Sequence, residues 1–542
     1  MTARCVLPLV VAFACLWPGV AGAYKVGRAV PLEGVAAKAD VIFKATAVSE
    51  ARTDQGGFEK VPGFAPVETR LRMVSVLKGD VPKGEVGFLH YDVQDGELFC
   101  DYEPQHYRLV PGKTYLVFAL RQAWNDPALF RQIWMSHTGL KTQGELLCAD
   151  DQPLASTDVR EIYWKELTGL LHSSDPAEVV YAIEMLDKLG GDGRETYDQL
   201  KEFPREKVID AVKPLITSKD PAIARAALMV VGGGNPYMTE ERAAFWLATI
   251  GVETPGLGRM DPGLKNPGAE RYAQDLIALA DGSGPEETRA LAILALGLTR
   301  NPAVQPALER WLTDPSPRVR AAAVVLLADY PAMATGQRLR TAATDPAAEV
   351  RSAAARAVGF GQYIDHAGLL ADLLKDPDRK VRHDASVSLL SFPPEKESIA
   401  AIFRANLGTA EFAPLFLLAL AAKDPSPYRD ALADVVVKEI SPTNWSGGQI
   451  PSYTARALLL RDLKAQSPED LRSGRFDHAL DALGTFRKGG GSSPVEVYAL
   501  YFQKGLTDRA KALRAQATAE AGYDIGSQFD AAAAHPDAYL GN

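Results

Sequence analysis

Asp314-Pro315-Ser316-Pro317-Arg318-Val319-Arg320 is the stretch on which the fold turns. It recurs as Asp345-Pro346-Ala347-Ala348-Glu349-Val350-Arg351 and as Asp376-Pro377-Asp378-Arg379-Lys380-Val381-Arg382, each copy 31 residues after the one before. Looser copies flank these three: Asp175-Pro176, Asp220-Pro221 with Arg225, Gly284-Pro285 with Arg289, and Asp424-Pro425 with Arg429. A fixed period of this length marks an array of supersecondary units. Aspartate is a favoured N-cap because its carboxylate accepts the orphan N–H groups of a first turn, and the following proline has its φ already set. Its charge also sits at the positive end of the helix dipole. Asp314, Asp345 and Asp376 are therefore predicted to cap the second helix of successive hairpins. Ala303 to Leu312 is the first helix of one copy. Small residues such as Ala321-Ala322-Ala323 let neighbouring hairpins approach closely. One hairpin cannot bury its apolar face alone, so the units must stack.

Arg320, Arg351 and Arg382 share one register. Two arrangements fit. Each guanidinium could bond the aspartate of a neighbouring copy in an internal ladder, or the row could grip an anionic ligand. Identical register in consecutive copies favours the ladder. The pattern resembles the HEAT repeat, in the short form of about thirty residues found in the phycobilisome-lyase-like HEAT family. The resemblance covers 160–440 and is sharp over 300–392. It implies an α-solenoid that serves as a binding scaffold. No residue specific to bilin attachment maps onto this chain.

Upstream of the array, residues 24–152 have a β-rich texture. Asp40 to Val48, Glu68 to Leu77, Glu85 to Tyr91, Lys113 to Ala119 and Ile133-Trp134-Met135 read as short strands, with turns at Lys78-Gly79-Asp80 and Pro111-Gly112. Five or six such strands predict a small barrel or sandwich. Ala39-Asp40-Val41-Ile42-Phe43, the strand ending at Lys78-Gly79-Asp80, and Pro111 to Phe118 together resemble the netrin-like fold of the tissue inhibitors of metalloproteinases, an OB-type barrel. In those inhibitors a cysteine at the mature N-terminus chelates the target's zinc. Here the expected mature start is Tyr24, so the resemblance does not carry the inhibitory chemistry. The OB comparison also raises a nucleic-acid stacking platform of Tyr91, Phe99, Tyr102, Tyr107 and Tyr115, for which core or rim roles are the simpler reading.

Residues 1–23 read as an export signal: Arg4, the apolar run Val6 to Leu16, the break at Pro18-Gly19 and the small residues Ala21-Gly22-Ala23. The apolar run is too short for a membrane span. Export removes Cys5 and Cys15. Cys100 and Cys148 remain, read as one disulfide in an oxidising compartment, with two buried free thiols as the alternative. The chain has 542 residues, is 47% hydrophobic and 23% charged, and carries a formal charge of −9. It can bury a large core, and its acidic balance argues against phosphate-backbone and polybasic membrane binding.

Catalytic and metal motifs are sparse. The sequence holds no His-Glu-x-x-His, Gly-x-Ser-x-Gly or Walker pattern. Gly232-Gly233-Gly234 reads as a helix stop. His366 and His383 fall in adjacent repeats and are read as surface residues. Asp92 to Glu97 lacks EF-hand spacing. No cofactor, metal or catalytic residue is expected.

The sequence thus predicts an α+β multidomain protein. A signal peptide (1–23) precedes a small OB/netrin-like β-barrel (24–152). An all-α HEAT-like solenoid (158–440), a helical extension (453–522) and a flexible tail (523–542) follow. The expected role is an exported, non-enzymatic scaffold, periplasmic or extracellular and bacterial, that binds a protein or peptide and no nucleic acid, with no transmembrane segment in the mature chain. The alternatives are an exported enzyme or enzyme inhibitor acting through the barrel, and a structural cell-envelope protein.

Overall fold

The computed structural model describes residues 30–54, 64–93, 106–122, 126–133, 145–191, 201–233, 267–408, 413–438, 450–484, 494–521 and 525–540. The expected signal (1–23), Tyr24, Cys100, Phe99 and Tyr102 lie outside them. The described residues form two compact units, one reaching Val304 and one starting at Gln305.

The first unit opens with helix α1 (Leu32–Lys38). Lys78 Nζ donates to the carbonyls of Ala36 at 2.8 Å and Ala39 at 2.6 Å and so closes its C-terminus. Six strands follow: β1 (Val41–Arg52), β2 (Phe64–Lys78), β3 (Glu85–Val93), β4 (Thr114–Arg121), β5 (Leu129–Arg131) and β6 (Glu145–Leu147). Of the expected strand at 133–135 only Ile133 is among the described residues; β5 and β6 stand on either side of that stretch. β1 pairs antiparallel with β2 and also with β4, β2 pairs with β3, β3 runs parallel to β5, and β5 and β6 both pair with β4. The chain of pairings β1-β2-β3-β5-β4 therefore returns to β1. The tight turn after β2 needs Gly79, whose φ is +77° and where a Cβ would lie 2.5 Å from the Asp40 carbonyl.

Val41, Phe43, Ala45 and Ala47 alternate along β1 and join Leu71, Val86, Phe88, Tyr107, Val117 and Phe130 in one core. The intervening Ile42, Lys44 and Thr46 are buried as well. Both faces of β1 are covered over residues 41–47, whereas residues 48–52 are exposed.

His90 on β3 is fully buried in this core. Its Nδ1 is 2.9 Å from the Tyr91 carbonyl, which only accepts, so Nδ1 carries the proton. Nε2 then accepts from Thr69 Oγ1 at 2.8 Å. Burial, with a smaller contribution from His106, drives the His90 pKa from 6.5 down to about 4. The unfolded chain therefore binds a proton that the folded one refuses. The stability from His90 is complete above pH 6.5, falls as the pH drops and is gone below about pH 4. It amounts to about 3 kcal/mol. Urea midpoints measured at pH 7 and pH 4.5 should differ more in the native protein than in His90→Gln.

Helices complete the unit: α2 (Val159–Leu170), α3 (Pro176–Leu189), α4 (Arg205–Val212), α5 (Pro221–Val231), α6 (Ala273–Asp281) and α7 (Glu286–Ala295). Asp158, Asp175 and Asp220 are side-chain N-caps of α2, α3 and α5, and Pro176 and Pro221 stand in the first turn. α3 packs on α5 as neighbouring second helices.

Helix α8 (Val304–Trp311) leads into the second unit, with Val304, Ala307, Leu308 and Trp311 buried at helical spacing. Next come α9 (Pro317–Leu326), α10 (Gly336–Ala343), α11 (Ala348–Phe360), α12 (Ala367–Leu373), α13 (Arg379–Leu390), α14 (Glu397–Ala405), α15 (Ala413–Ala421) and α16 (Arg429–Lys438). The second helices α9, α11 and α13 stack directly on one another. Small buried residues permit the close approach: Ala321, Ala322 and Ala323 on α9, Ala353, Ala354, Ala355 and Gly359 on α11, and Ala385, Ser386 and Ser388 on α13.

The C-terminal part corrects one expectation. Beyond α17 (Ile450–Lys464), α18 (Pro494–Gln503) and α19 (Thr507–Ala521), the chain does not fray. Gly526–Ala534 (α20) and Pro536–Leu540 (α21) are helical. Phe529, Ala532 and Leu540 are buried in the same core as Leu459, Leu483 and Leu500. The Phe529 ring meets Tyr498 edge-on at 4.9 Å, and Lys464 Nζ donates to the Leu540 carbonyl at 3.0 Å. Two apolar anchors among small residues are enough to hold this segment down.

Candidate functional site

The repeated motif builds a row of joints. Asp314, Asp345 and Asp376 do not cap the helices, contrary to expectation. The N-cap positions belong to Ser316, Ala347 and Asp378, two residues further on. Each motif aspartate instead folds its own turn. Oδ1 accepts the N–H two residues ahead, from Ser316, Ala347 and Asp378 respectively, each at 2.9 Å. In the looser copies Asp175 and Asp220 do cap, because the helix there starts at the proline.

The turn leaves the carboxylate facing the preceding repeat, where an arginine meets it. Arg320 Nε and Nη2 donate to Asp345 Oδ2 and Oδ1, both at 3.0 Å. Arg351 donates likewise to Asp376 at 2.7 and 3.0 Å. The remaining nitrogen turns back on its own motif: Arg320 Nη1 reaches the carbonyls of Asp314 and Pro315, and Arg351 Nη1 those of Asp345 and Pro346. Arg382 Nη1 makes the same return to Asp376 and Pro377. One fork thus clamps its own turn and the next one, which only the planar five-donor guanidinium can do. Burial raises the Asp345 and Asp376 carboxyls, but the hydrogen bonds from Arg320 and Arg351 and from the turn N–H groups outweigh it and hold both below the usual carboxylate range.

Arg351→Ala should strand the Asp376 carboxylate, whose side chain is 6% exposed, and cost about 2–3 kcal/mol. Arg351→Lys should recover less than half, since an ammonium cannot bond both oxygens and the back carbonyls together. Urea unfolding of the full chain reads both.

A second buried constellation lies in the first unit, where the sequence signal was a single charge in an apolar strand. Lys44 on β1 is fully buried and donates to Asp150 Oδ1 and to Glu166 Oε1 on α2, each at 2.8 Å. Glu166 Oε2 also accepts from Ala149 N at 2.8 Å. Burial opposes the Lys44 charge, yet Asp150 and Glu166 prevail and raise its pKa. The pair of Lys44 and Glu166 ties the sheet to α2. A cavity of about 200 Å³ next to them is lined by Leu154, Ser156, Glu161, Ile162, Lys165 and Glu166 among others.

Cys148 is a buried thiol beside this cluster; Cys100, its expected bridge partner, lies outside the described residues. The Cys148 Sγ is turned toward the Leu146 carbonyl at 3.6 Å, inward from the end of β6. Burial pushes the thiol pKa up, with Glu166 adding to it.

Tyr91, Tyr107 and Tyr115 are buried and offer no stacking surface. His383 Nδ1 bonds Asp384 Oδ1 at 3.1 Å, and the ring of His366 meets Tyr363. Among the described residues no group of three or more His, Cys, Asp or Glu is placed to hold a metal ion. Among them also, no helix is long and apolar enough to cross a membrane.

Residues 273–359 match the family model of HEAT repeats. No curated protein matches the chain. Solved structures that resemble it include YibA of Escherichia coli, at 16% identity and a TM-score of 0.32, covering 57% of this chain and 94% of that one. A designed armadillo repeat protein, at 16% identity and a TM-score of 0.23, covers 43% of this chain and 99% of its own. An engineered protein, at 16% identity and a TM-score of 0.27, covers 69% and 98%.

Proposed function

We propose that the chain is an exported, non-enzymatic scaffold whose HEAT-like solenoid binds a protein or peptide partner. One observation carries this reading: α9, α11 and α13 stand in the same register and are joined by paired Arg–Asp rungs, Arg320 to Asp345 and Arg351 to Asp376. Rigid, repeated helix layers present an extended surface at low ordering cost, and preorganisation is what such binders trade on. The reading places a signal at 1–23, a barrel at 24–152, the solenoid at 158–440 and a helical extension from 453 to 540. An OB-type closure of the barrel is supported by the five-strand cycle of pairings through β1.

The test is affinity capture from the native host with the tagged mature chain, followed by cross-linking at the surface of α9, α11 and α13. A stoichiometric partner cross-linked there supports the scaffold. A partner held only by residues 24–152, or turnover of a substrate by that part, favours the enzyme or inhibitor alternative. N-terminal sequencing should find Tyr24 first in an exported fraction. A cell-associated chain that still begins at Met1 would refute export.

A further inference from the structure

A helix packed in an array needs one apolar stripe, and α3 carries two. Val179, Ala182, Ile183 and Leu186 form the buried stripe. Ala177, Val180 and Tyr181 lie on the opposite face, where the first is exposed and the other two are half-buried. The adjoining α5 repeats the pattern. Its Ile223, Ala227, Leu228 and Val231 are buried, whereas Ala222 is exposed and Ala226 and Met229 are half-buried. Outward positions that a solvated helix fills with charge are thus mainly apolar on two neighbouring second helices. The charges on these faces are Glu184, Lys188 and Arg225.

The two faces meet in an open groove of about 450 Å³, lined by Pro176, Ala177, Val180, Tyr181 and Glu184 of α3 and by Ala222 of α5. Its aromatic wall is fixed in advance, because Tyr181 Oη accepts from Leu147 N at 3.2 Å. The nearby charges are already committed, with one exception at the rim. Lys113 pairs with Glu178, and Arg225 Nη1 lies 3.2 Å from Glu287 Oε1. Glu184 has no hydrogen bond or ion pair among the described residues, and Lys188, one turn on, makes no ion pair with it. Glu184 is also the one charged residue among those that line the groove.

The lining dictates the occupant. Apolar walls reward an aliphatic side chain and penalise a polar one. A lone carboxylate at the rim repels an acidic neighbour and attracts a cationic one. We propose that the groove between α3 and α5 seats an aliphatic side chain of a partner's peptide segment, with an adjacent lysine or arginine on Glu184. This rests on the scaffold reading and names the partner's chemistry at one place on the array.

The probe is a fluorescein-labelled, N-acetylated peptide of three leucine–lysine pairs. It is titrated into the full-length protein and followed by anisotropy, at about 0.15 M salt to screen loose charge attraction. The expected result is saturable binding, about tenfold weaker for a peptide of serine–lysine pairs and for Val180→Lys. Glu184→Gln should weaken it about threefold, the scale of an exposed ion pair. A peptide of leucine–glutamine pairs should bind Glu184→Gln and the native chain alike. Both substitutions lie on the outward face, so both variants should melt with the native chain. Should Val180→Lys melt lower, Ala222→Gln on the opposite wall carries the same test. Equal affinity in the wall variant, equal affinity for the serine–lysine peptide, or no saturable binding by the native chain overturns the site. So do dimers of the native chain that Val180→Lys dissolves, which would put a second copy in the groove. If Val180→Lys captures the native partner with undiminished affinity, the groove falls and the scaffold stands; if neither chain captures one, the scaffold itself falls.

Discussion

Replacing Lys44 by alanine should cost the first unit about 3–5 kcal/mol, the largest loss expected from a single substitution in the sheet. The reason lies less in the lost attraction than in what remains. The Glu166 side chain is 2% exposed and would keep a buried charge with only the Ala149 N–H to hold it. Asp150 is 42% exposed on its side chain and would simply turn to water. Lys44→Met with Glu166→Leu removes both buried charges and fills the space, so it should fall within about 1–2 kcal/mol of the native stability. Hydrogen exchange along Val41–Ala47 and Val159–Leu170 should rise together in Lys44→Ala, because the bridge joins these two elements. A loss under about 1 kcal/mol in the single variant, or exchange confined to β1, would show that the bridge does not bear the join.

Phe529→Ala should destabilise the second unit by about 3–5 kcal/mol, the usual range for emptying a buried aromatic site. The ring is fully buried and packs edge-on against Tyr498, and the Arg514 guanidinium lies 5.9 Å from its centre. Removing residues 525–540 altogether also strips Ile525, Ala532 and Leu540 from the core and breaks the bond between Lys464 and the Leu540 carbonyl. Such a truncation should lower the melting temperature further and expose Tyr498 to quenching by iodide. A truncated chain that melts like the native one would mean that the segment merely lies on the surface.

The two corrections in the repeat region and at the C-terminus have different physical origins. The 31-residue spacing, the hairpins and the Arg–Asp rungs were legible because period and register are properties of the chain itself. The cap assignment was not, since Asp-Pro fits two geometries: proline at the first helical position, as after Asp175 and Asp220, or proline inside a turn that precedes the helix, as after Asp314. A second capping residue, Ser316 or Asp378, goes with the later start in two copies, but the middle copy starts equally late at Ala347 with no side-chain cap, and what the three share is the arginine that takes up or leans on the motif turn. The C-terminal helices were hidden by composition, because Ala531-Ala532-Ala533-Ala534 reads as a polar-tail filler until Phe529 and Leu540 are seen to meet a core assembled from residues far upstream. Lys44 was visible as an odd charge in an apolar strand, but its partners come from 106 and 122 residues away, a distance no local pattern spans. The charges of Arg356 and Asp384 were equally present in the letters, yet only the stacking of α11 on α13 brings the two together.

The rungs have an evolutionary corollary. Each unit supplies an acid to the unit before it and a base to the unit after it, as Asp345 and Arg351 do on either side of Pro346. An in-frame duplication of one such block would therefore arrive with both of its new joints already complementary, needing no second mutation to close them. Array length can then drift under selection while every seam stays sound, so homologous chains of differing span should keep the Asp–Arg offset long after the rest of the block has diverged.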